Sequence, residues 1–368
     1  MIGNKLEIER INPLPLAQRK SFFSADEIMV PVECEPKPIS DAISIQIQKC
    51  ANKIRDARSR GASVMLIYGA HLIKNGAAYL LDDFLINDRL THLATNGAGT
   101  IHDWEYSWLG RSSECVRSNV SSGTFGTWDE TGKNINLSLL VGGIQGLGYG
   151  ESLGRLIHDE KLEIPNKEEL EDLIKNSPND EYTGARVELL HSLNNGYSKQ
   201  GTYELEHHWK KASVLESAYR NKIPLTVHPG IGYDIISNHP MFNGAAIGRA
   251  AQVDFQKFAS SVDGLDGGVV LSVGSAIMGP QVFEKAISFV NHLRLAEGRK
   301  IVNDHSLFVV DLQDGGEWDW SNGEPPITNP AYYLRFCKSY ARMGGDMSYL
   351  QCDNITFMQH LRRALINF

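Results

Sequence analysis

Residues 90–103 read LTHLATNGAGTIHD, a short apolar run that passes at once into a turn rich in glycine and polar side chains. A short run of this kind, bounded by turn residues, is typical of a strand that is buried on both faces of a sheet. The residues that follow the turn, at 101–109, have a helical pattern. The stretch therefore predicts a strand, a tight turn and a helix in direct succession.

Similar apolar runs recur elsewhere in the chain. They lie at 64–68, 224–227, 268–273 and 307–311. Helical patterns separate them, for example at 72–84 and 282–295. Strands that alternate with helices indicate βαβ units and a parallel sheet. We therefore predict an α/β fold, in which a doubly wound, mostly parallel sheet carries helices on both faces.

Each of these five strands is followed by glycine together with polar or ionisable residues. The segments are 69–71, 95–103, 228–234, 274–276 and 314–316. In a parallel sheet these segments share one edge, and ligands bind in the crevice beyond the carboxyl ends of the strands. Because five separate loops agree, we expect a nucleotide-type ligand at this edge.

The positions of the prolines and of the strand and helix patterns suggest three regions. They are an N-terminal arm at 1–39, an α/β nucleotide-binding domain at 40–315 with a helical insertion at about 161–222, and a C-terminal helical extension at 316–368. Prolines repeatedly interrupt the arm, which argues against a long element there. Helical patterns within the insertion lie at 167–175 and 202–219.

The composition is that of an ordinary globular chain. Of its 368 residues, 42% are hydrophobic and 22% are charged, and the formal net charge is -8. A mildly acidic chain is a poor general binder of nucleic acid or anionic membranes. The five cysteines include no CxxC pair, and neither a signal peptide nor an apolar stretch of about 18 residues is present. We therefore expect a cytoplasmic protein with a small-molecule substrate and no nucleic-acid or membrane partner.

Candidate acid–base residues stand directly after the turn at 95–100. His102 offers an imidazole, which suits proton transfer near neutral pH, and Asp103 follows it. Helix capping explains an aspartate at that position equally well, and solvation explains Glu105. The loop after the third strand adds His228 and Asp234, which suit contacts with a ligand.

Two other readings of these loops stay open. His228, Asp234 and His239 together offer metal-binding side chains, so a metal-assisted hydrolase is one alternative. Their irregular spacing and the absence of an HExxH motif make ligand contacts the better interpretation, and we predict no metal ligands. The other alternative is a protein that binds a nucleotide without catalysis.

Three stretches resemble deoxyhypusine synthase and, more closely, the bacterial deoxyhypusine synthase-like proteins. Residues 95–103 are similar to a Thr-Ala-Gly-Gly segment with acidic residues, and His102 stands where that family has glutamate. Residues 223–234 are similar to a Pro-containing strand that leads to an aspartate loop. Residues 268–275 are similar to a strand that ends in a Gly-rich turn touching NAD. The resemblance covers roughly residues 60–315.

The resemblance implies a doubly wound, Rossmann-type sheet that binds NAD, assembled as a homo-oligomer, either a dimer or a tetramer with active sites at subunit interfaces. We expect His102 to be the acid or base, with Asp103, His228 and Asp234 orienting it or the substrate. The expected cofactor-binding residues are Thr95, Asn96, Gly97, Gly99, Gly274, Ser275 and Asp311.

One departure from the family limits what the resemblance implies. Deoxyhypusine synthases follow the Gly-rich turn with a Lys-His-His segment, whose lysine carries a covalent imine. Here the corresponding stretch, 276–280, reads AIMGP, and Met278 cannot form an imine. The tryptophan and acidic residues that bind spermidine in the family are also missing. We therefore expect NAD-dependent chemistry on a small amine- or amino-acid-like substrate, as a transferase or oxidoreductase, but not hypusine synthesis.

Overall fold

Strands and helices alternate along most of the chain in the computed structural model, which describes residues 3–366. The strands are β1 Ser21–Ser24, β2 Val64–Tyr68, β3 His92–Thr95, β4 Arg111–Glu114, β5 Lys161–Ile164, β6 Gly201–Glu204, β7 Leu225–Val227, β8 Val269–Val273, β9 Ser306–Asp311 and β10 Asp346–Gln351. Met1 and Ile2 of the predicted arm, and Asn367 and Phe368 of the predicted extension, lie outside the described residues.

Helices fill most of the connections between these strands. The α-helices are α1 Ala25–Ile28, α2 Asp41–Ser59, α3 Ala70–Lys74, α4 Ala78–Ile86, α5 Gly97–Leu109, α6 Val116–Ser121, α7 Asp129–Gly143, α8 Tyr149–Asp159, α9 Lys167–Asn176, α10 Thr183–Asn194, α11 Val214–Arg220, α12 Gly244–Asp263, α13 Met278–Ala296, α14 Arg335–Ala341 and α15 Asn354–Ile366. Short 3-10 helices lie at Ile8–Arg10, Leu16–Gln18, Lys210–Ala212, Ile235–Ser237, Trp320–Asn322 and Pro330–Tyr333.

The central sheet has six strands in the order β10-β9-β8-β2-β3-β7, and every neighbouring pair is parallel. Counted along the chain from β2, this order is 3-2-1-4-5-6 when read from the β7 edge. It is the order of doubly wound dinucleotide-binding folds, and the direction of winding changes between β2 and β8. The predicted α/β fold is therefore confirmed.

The strands are buried because apolar side chains cover both faces of the sheet. Leu66 of β2 joins the larger apolar cluster together with Phe84 of α4. Its neighbour Met65 points the other way and joins a second cluster together with Phe283 of α13. Side chains alternate between faces along a strand, so two cores explain the continuous apolar runs in the sequence.

Two segments differ from the predicted elements. Residues 346–351 form β10, a strand at the sheet edge, although the sequence predicts a helical extension at 316–368. Residues 201–204 form β6, which pairs with β5, whereas a single helix is predicted over 202–219. β10 mixes exposed and buried side chains, and the residues of β6 are exposed or half-buried, so no continuous apolar run marks either strand. The predicted domain boundaries stay a prediction.

The N-terminal arm packs into the fold and supplies a strand. β1 pairs antiparallel with β4, and Phe23 lies opposite Ser112. Leu16 is fully buried, and its backbone N–H donates to the carboxylate of Glu130 at 2.6 Å. The arm therefore fixes β4 next to the carboxyl ends of the central strands. Within residues 3–366, no helix combines the length and the apolar content that a membrane crossing requires.

Candidate functional site

The loops after β2 and β8 meet where the winding of the sheet changes direction. A Cβ atom on Gly69 would lie 2.1 Å from the carbonyl oxygen of Gly274, so only glycine permits this approach. Gly274 has a φ of 60°, in the left-handed region that favours glycine. The Ser275 hydroxyl accepts a hydrogen bond from the N–H of Gly279, and Asp311 ends the adjacent strand β9. The structure thus brings together Gly274, Ser275 and Asp311.

The turn after β3 is held by internal contacts. Thr95 donates to a backbone carbonyl of β2 at 3.1 Å, and the Asn96 side chain accepts from the N–H of Gly99 at 2.9 Å to cap α5. A Cβ atom on Gly97 would lie 2.1 Å from the carboxylate of Asp234. A Cβ atom on Gly99 would lie 2.3 Å from the hydroxyl of Thr95. Close packing within the protein therefore accounts for both glycines.

A cavity of about 260 Å³ opens beside the carboxyl ends of β3 and β7. Its lining comes from the N-terminal arm, α3, α5, β4, α6 with the loop after it, and the loop after β7 with its 3-10 helix. The polar residues among the lining are Arg19, Lys74, His102, Glu105, Ser113, Glu114, Tyr233 and Asp234. Two of the predicted catalytic residues, His102 and Asp234, therefore face one cavity.

His102 lies on α5 with one ring nitrogen bound and the other free. Nδ1 lies 2.8 Å from the hydroxyl of Ser112, and Nε2 makes no hydrogen bond to any described residue. Burial lowers the pKa of His102 to about 4, although the nearby carboxylate of Glu105 acts in the opposite direction. The imidazole is therefore neutral near pH 7 and can accept a proton from a molecule in the cavity.

Asp234 presents a carboxylate that is only partly satisfied. Its Oδ2 accepts a hydrogen bond from the N–H of Gly230 at 2.8 Å, whereas its buried Oδ1 has no partner within residues 3–366. Burial raises the pKa of Asp234 to about 6, against the effect of the Gly230 hydrogen bond. A buried acceptor without a partner costs stability, and beside a cavity it is suited to binding a donor on a ligand.

Ser113 is the third polar group at this cavity whose hydrogen-bonding capacity is unused. Its φ is 69°, which is unfavourable for a residue with a Cβ atom. Its hydroxyl is buried and has no partner in the described part of the chain. Strained backbone positions of this kind are concentrated at binding and catalytic sites. The sequence pattern gave no sign of Ser113.

Asp103 and His228 do not line the cavity. Asp103 is fully buried and accepts hydrogen bonds from the hydroxyl of Ser213 and from the backbone N–H of Val214, at the start of α11. Burial raises the pKa of Asp103 to about 7. The ring of His228 packs edge-on against Phe258 of α12, with 5.3 Å between ring centroids, and burial lowers the pKa of His228 to about 4. Their predicted catalytic roles stay predictions.

The metal-site alternative lacks the necessary geometry. Both ring nitrogens of His239 are already engaged, one by Asp129 at 3.2 Å and the other by the backbone N–H of Met241 at 3.1 Å. Nowhere in residues 3–366 do three or more His, Cys, Asp or Glu side chains gather as a metal site would need. His228, Asp234 and His239 therefore do not form the predicted alternative site.

Glu105 is a correction to the sequence analysis, which explained it by solvation. It is 1% exposed, and both carboxylate oxygens bind the guanidinium of Arg19 at 2.7 Å. Arg19 and Ser112 are functional candidates that sequence reasoning missed. Arg19 lies in a Pro-broken arm, and its partner is 86 residues away, so no local pattern reveals the pair.

A larger cavity of about 510 Å³ lies at the opposite, amino end of β7. Its lining includes Pro224 and Leu225, which precede or begin the strand, together with Lys222 and Lys257. Ligands of open α/β sheets bind at the carboxyl ends of the strands. We therefore assign the candidate site to the smaller cavity.

No family model matches the sequence, and a search of curated proteins also found no match. Several solved structures overlap the chain loosely. AgrE in ternary complex with ornithine and NAD+ gives a TM-score of 0.42 at 14% identity, covering 90% of this chain and 34% of that one. A protein assigned to LOR/SDH from Methanococcus maripaludis S2 gives a TM-score of 0.42 at 13% identity, covering 92% of this chain and 74% of that one.

A protein from Entamoeba histolytica, assigned as a deoxyhypusine synthase, gives a TM-score of 0.37 at 8% identity and covers 89% of each chain. A deoxyhypusine synthase is thus one of several loose matches. The chain spans about a third of the length of the AgrE protein it overlaps. These values do not assign the chain to any of the three families.

Proposed function

We propose that this protein is an NAD-dependent enzyme that acts on a small amine- or amino-acid-like substrate. The dinucleotide would lie across the loops after β2, β8 and β9, and the substrate would occupy the cavity beside His102 and Asp234. A relationship to deoxyhypusine synthase and assembly as a homo-oligomer remain parts of this proposal. Hypusine synthesis is excluded from it, because Met278 cannot carry the imine.

The strand order supports the dinucleotide site. The edge at the carboxyl ends of β2 and β8, where the direction of winding changes, is the usual position of a dinucleotide in sheets of this order. Gly69 and Gly274 let the two loops meet closely at that edge: a Cβ atom on Gly69 would lie 2.1 Å from the carbonyl oxygen of Gly274, and one on Gly274 would lie 2.4 Å from the side-chain nitrogen of Asn354. Asp311 uses one carboxylate oxygen for a backbone N–H at 3.1 Å, and the other is available for a ribose hydroxyl. The nicotinamide, when bound, would accept or supply a hydride.

The observation that carries the substrate assignment is the presence of three unused polar groups at one cavity. Nε2 of His102, Oδ1 of Asp234 and the hydroxyl of Ser113 all lack hydrogen-bond partners among the described residues. Asp234 offers negative charge to an ammonium group. Lys74, at the same cavity, offers positive charge to a carboxylate. An amine or amino acid matches this set of charges.

His102 would act as the base in such a reaction. Its neutral ring has a free Nε2, which can accept a proton from the nitrogen of the substrate. Asp234 would hold the amine, and Ser113 would donate or accept one hydrogen bond that fixes its orientation. Because His102 is uncharged near pH 7, it would not repel the ammonium group.

Thermal unfolding with added nucleotides tests the cofactor site. NAD or ADP-ribose at about a hundredfold excess over Kd should stabilise the protein by about 2.7 kcal/mol. Asp311→Asn should reduce this shift. Asp314→Asn is the matched control, because Asp314 is an exposed acid of the same loop whose carboxylate binds only a nearby backbone N–H. The absence of a shift with NAD, NADP and ADP-ribose would contradict the cofactor assignment.

Nicotinamide absorbance during incubation with a panel of amines and amino acids tests the reaction. We expect one class of amine to change the absorbance and His102→Ala to abolish the change. Full turnover by His102→Ala would exclude the histidine as the base. Tight NAD binding without reaction across the panel would favour the alternative of a nucleotide-binding protein without catalysis.

A further inference from the structure

We infer that Arg19, Glu105 and Ser112 are positioning residues that hold His102 in one tautomer, with the proton on Nδ1 and the Nε2 lone pair facing the cavity. The consequence for catalysis rests on the proposed function, but the tautomer itself does not. The inference adds three residues to the site, one of them from the N-terminal arm.

The four side chains form a continuous buried chain of hydrogen bonds. The guanidinium of Arg19 binds both oxygens of Glu105 at 2.7 Å, and the side chains of this pair are 2% and 1% exposed. The hydroxyl of Ser112 donates to Oε2 of Glu105 at 2.5 Å. The oxygen of the same hydroxyl lies 2.8 Å from Nδ1 of His102.

Counting protons along this chain determines the tautomer. A serine hydroxyl has one proton, and an ionised carboxylate can only accept. The proton of Ser112 therefore goes to Glu105, and the remaining lone pairs of its oxygen face Nδ1. Nδ1 must then be the donor, so a neutral His102 carries its proton on Nδ1 and leaves Nε2 bare.

The charges around the chain support both parts of this argument. Burial alone would raise the pKa of Glu105, but the charge and hydrogen bonds of Arg19 outweigh it, so its pKa lies below the usual range and the carboxylate stays ionised. Burial is the main cause that lowers the pKa of His102, and Lys74 and Arg19 act in the same direction, whereas Glu105 opposes them. Burial, assisted by these cations, disfavours the imidazolium and leaves the ring neutral.

The arm holds this arrangement from outside the central sheet. β1 begins two residues after Arg19, and its pairing with β4 places Phe23 opposite Ser112. Trp128 packs near Arg19, with 5.8 Å between the centroid of the tryptophan ring and the central carbon of the guanidinium. The same strand pair thus fixes the arginine and the serine relative to each other. The arm is consequently part of the site.

The test is the protonation state of the His102 ring nitrogens, measured by NMR on full-length protein with isotope-labelled histidine. His102→Ala assigns the signal. We expect a proton on Nδ1 and none on Nε2 in the wild-type protein, and a loss of this preference in Ser112→Ala. Thr131→Ala is the matched control, since Thr131 donates to the same Glu105 at 3.0 Å without contacting His102. The tautomer of His102 should be unchanged in this variant.

The outcomes separate this inference from the proposed function. A proton on Nε2 in the wild-type protein would overturn the inference, as would an unchanged signal in Ser112→Ala whose other histidine signals match the wild type. Neither result depends on NAD or substrate. Where turnover is found, Ser112→Ala should lower kcat more than it changes KM and shift the acid limb of the pH profile, which a purely structural serine would not do.

Discussion

Asp103 and Val214 are 111 residues apart in sequence, and a buried hydrogen bond of 2.7 Å joins the backbone N–H of Val214 to the carboxylate of Asp103. The hydroxyl of Ser213 and the N–H of Leu215 also donate to this carboxylate. Asp103 thus accepts hydrogen bonds from N–H groups at the amino end of α11, which have no partner within the helix. It joins α5 to α11 on one face of the sheet.

We therefore expect Asp103→Ala to act on stability. Removing the carboxylate leaves buried donors without partners, so the free energy of unfolding should fall by about 2–4 kcal/mol. Urea denaturation measures the loss. Asp41→Ala is the control, because Asp41 is an exposed aspartate in the first turn of α2 and should cost less than about 1 kcal/mol. A catalytic defect in a folded, equally stable Asp103→Ala protein would contradict this assignment.

The pKa of Asp234 predicts how ligand binding depends on pH. Burial raises this pKa to about 6, so the carboxyl is mostly protonated below that pH and ionised above it. An ammonium ligand binds the ionised form, and its affinity should rise about tenfold between about pH 5 and about pH 7. His102 has a pKa of about 4 and does not titrate in this window.

Calorimetric titration of an amine at several pH values, with saturating nucleotide, measures this dependence. In Asp234→Asn the affinity should be weaker and nearly independent of pH over the same range. A wild-type affinity that falls as pH rises would be the opposite of what an ionising Asp234 requires, and would remove it as the amine contact.

The sequence was sufficient to predict most of the sheet, because its inner strands are buried on both faces and appear as continuous apolar runs. Five of the six strands in the described sheet follow this rule. β10 does not, because both its first and last residues are exposed, whereas β7, at the other edge, is buried throughout. Strand-end loops were likewise predictable, because parallel strands bring their carboxyl ends to one edge.

The contacts inside the site were not predictable in the same way. His102 and Asp103 are neighbours on α5 but point in different directions, and the sequence does not show which residue faces the cavity. Arg19 precedes β1 and Glu105 lies on α5 just before β4, so the pairing of β1 with β4, two strands of four residues each, helps bring the two side chains together. Such short strands carry too few residues for a periodic signal.

Ser113 should show opposite effects on stability and on binding. Ser113→Gly relieves the left-handed backbone and should raise the free energy of unfolding by about 1 kcal/mol. Losing the hydroxyl should weaken amine binding by about threefold to tenfold. Ser113→Ala keeps the strain, so it should weaken binding equally and gain less stability than Ser113→Gly.

Lys222→Gly is the matched control for the backbone effect. Lys222 follows α11 with a φ of 56° and does not line the candidate site. It should gain similar stability and leave amine binding unchanged. If Ser113→Gly binds the amine as tightly as the wild type, the hydroxyl is not a ligand contact.

The close contact at Gly97 predicts that the same substitution, glycine to alanine, has opposite effects on stability at Gly97 and at Gly248. In Gly97→Ala the new methyl group would lie 2.1 Å from Oδ2 of Asp234, so either the carboxylate or the start of α5 must move. Overpacking of this kind costs about 1–3 kcal/mol. In Gly248→Ala, on α12, the methyl group meets nothing within 4 Å, and alanine should stabilise the helix by about 0.5–1 kcal/mol.

Urea denaturation of both variants therefore should give shifts of opposite sign, and amine affinity should fall only in Gly97→Ala. Equal stabilisation by both substitutions would show that Asp234 does not pack against the start of α5, and would separate Asp234 from the cavity that His102 faces.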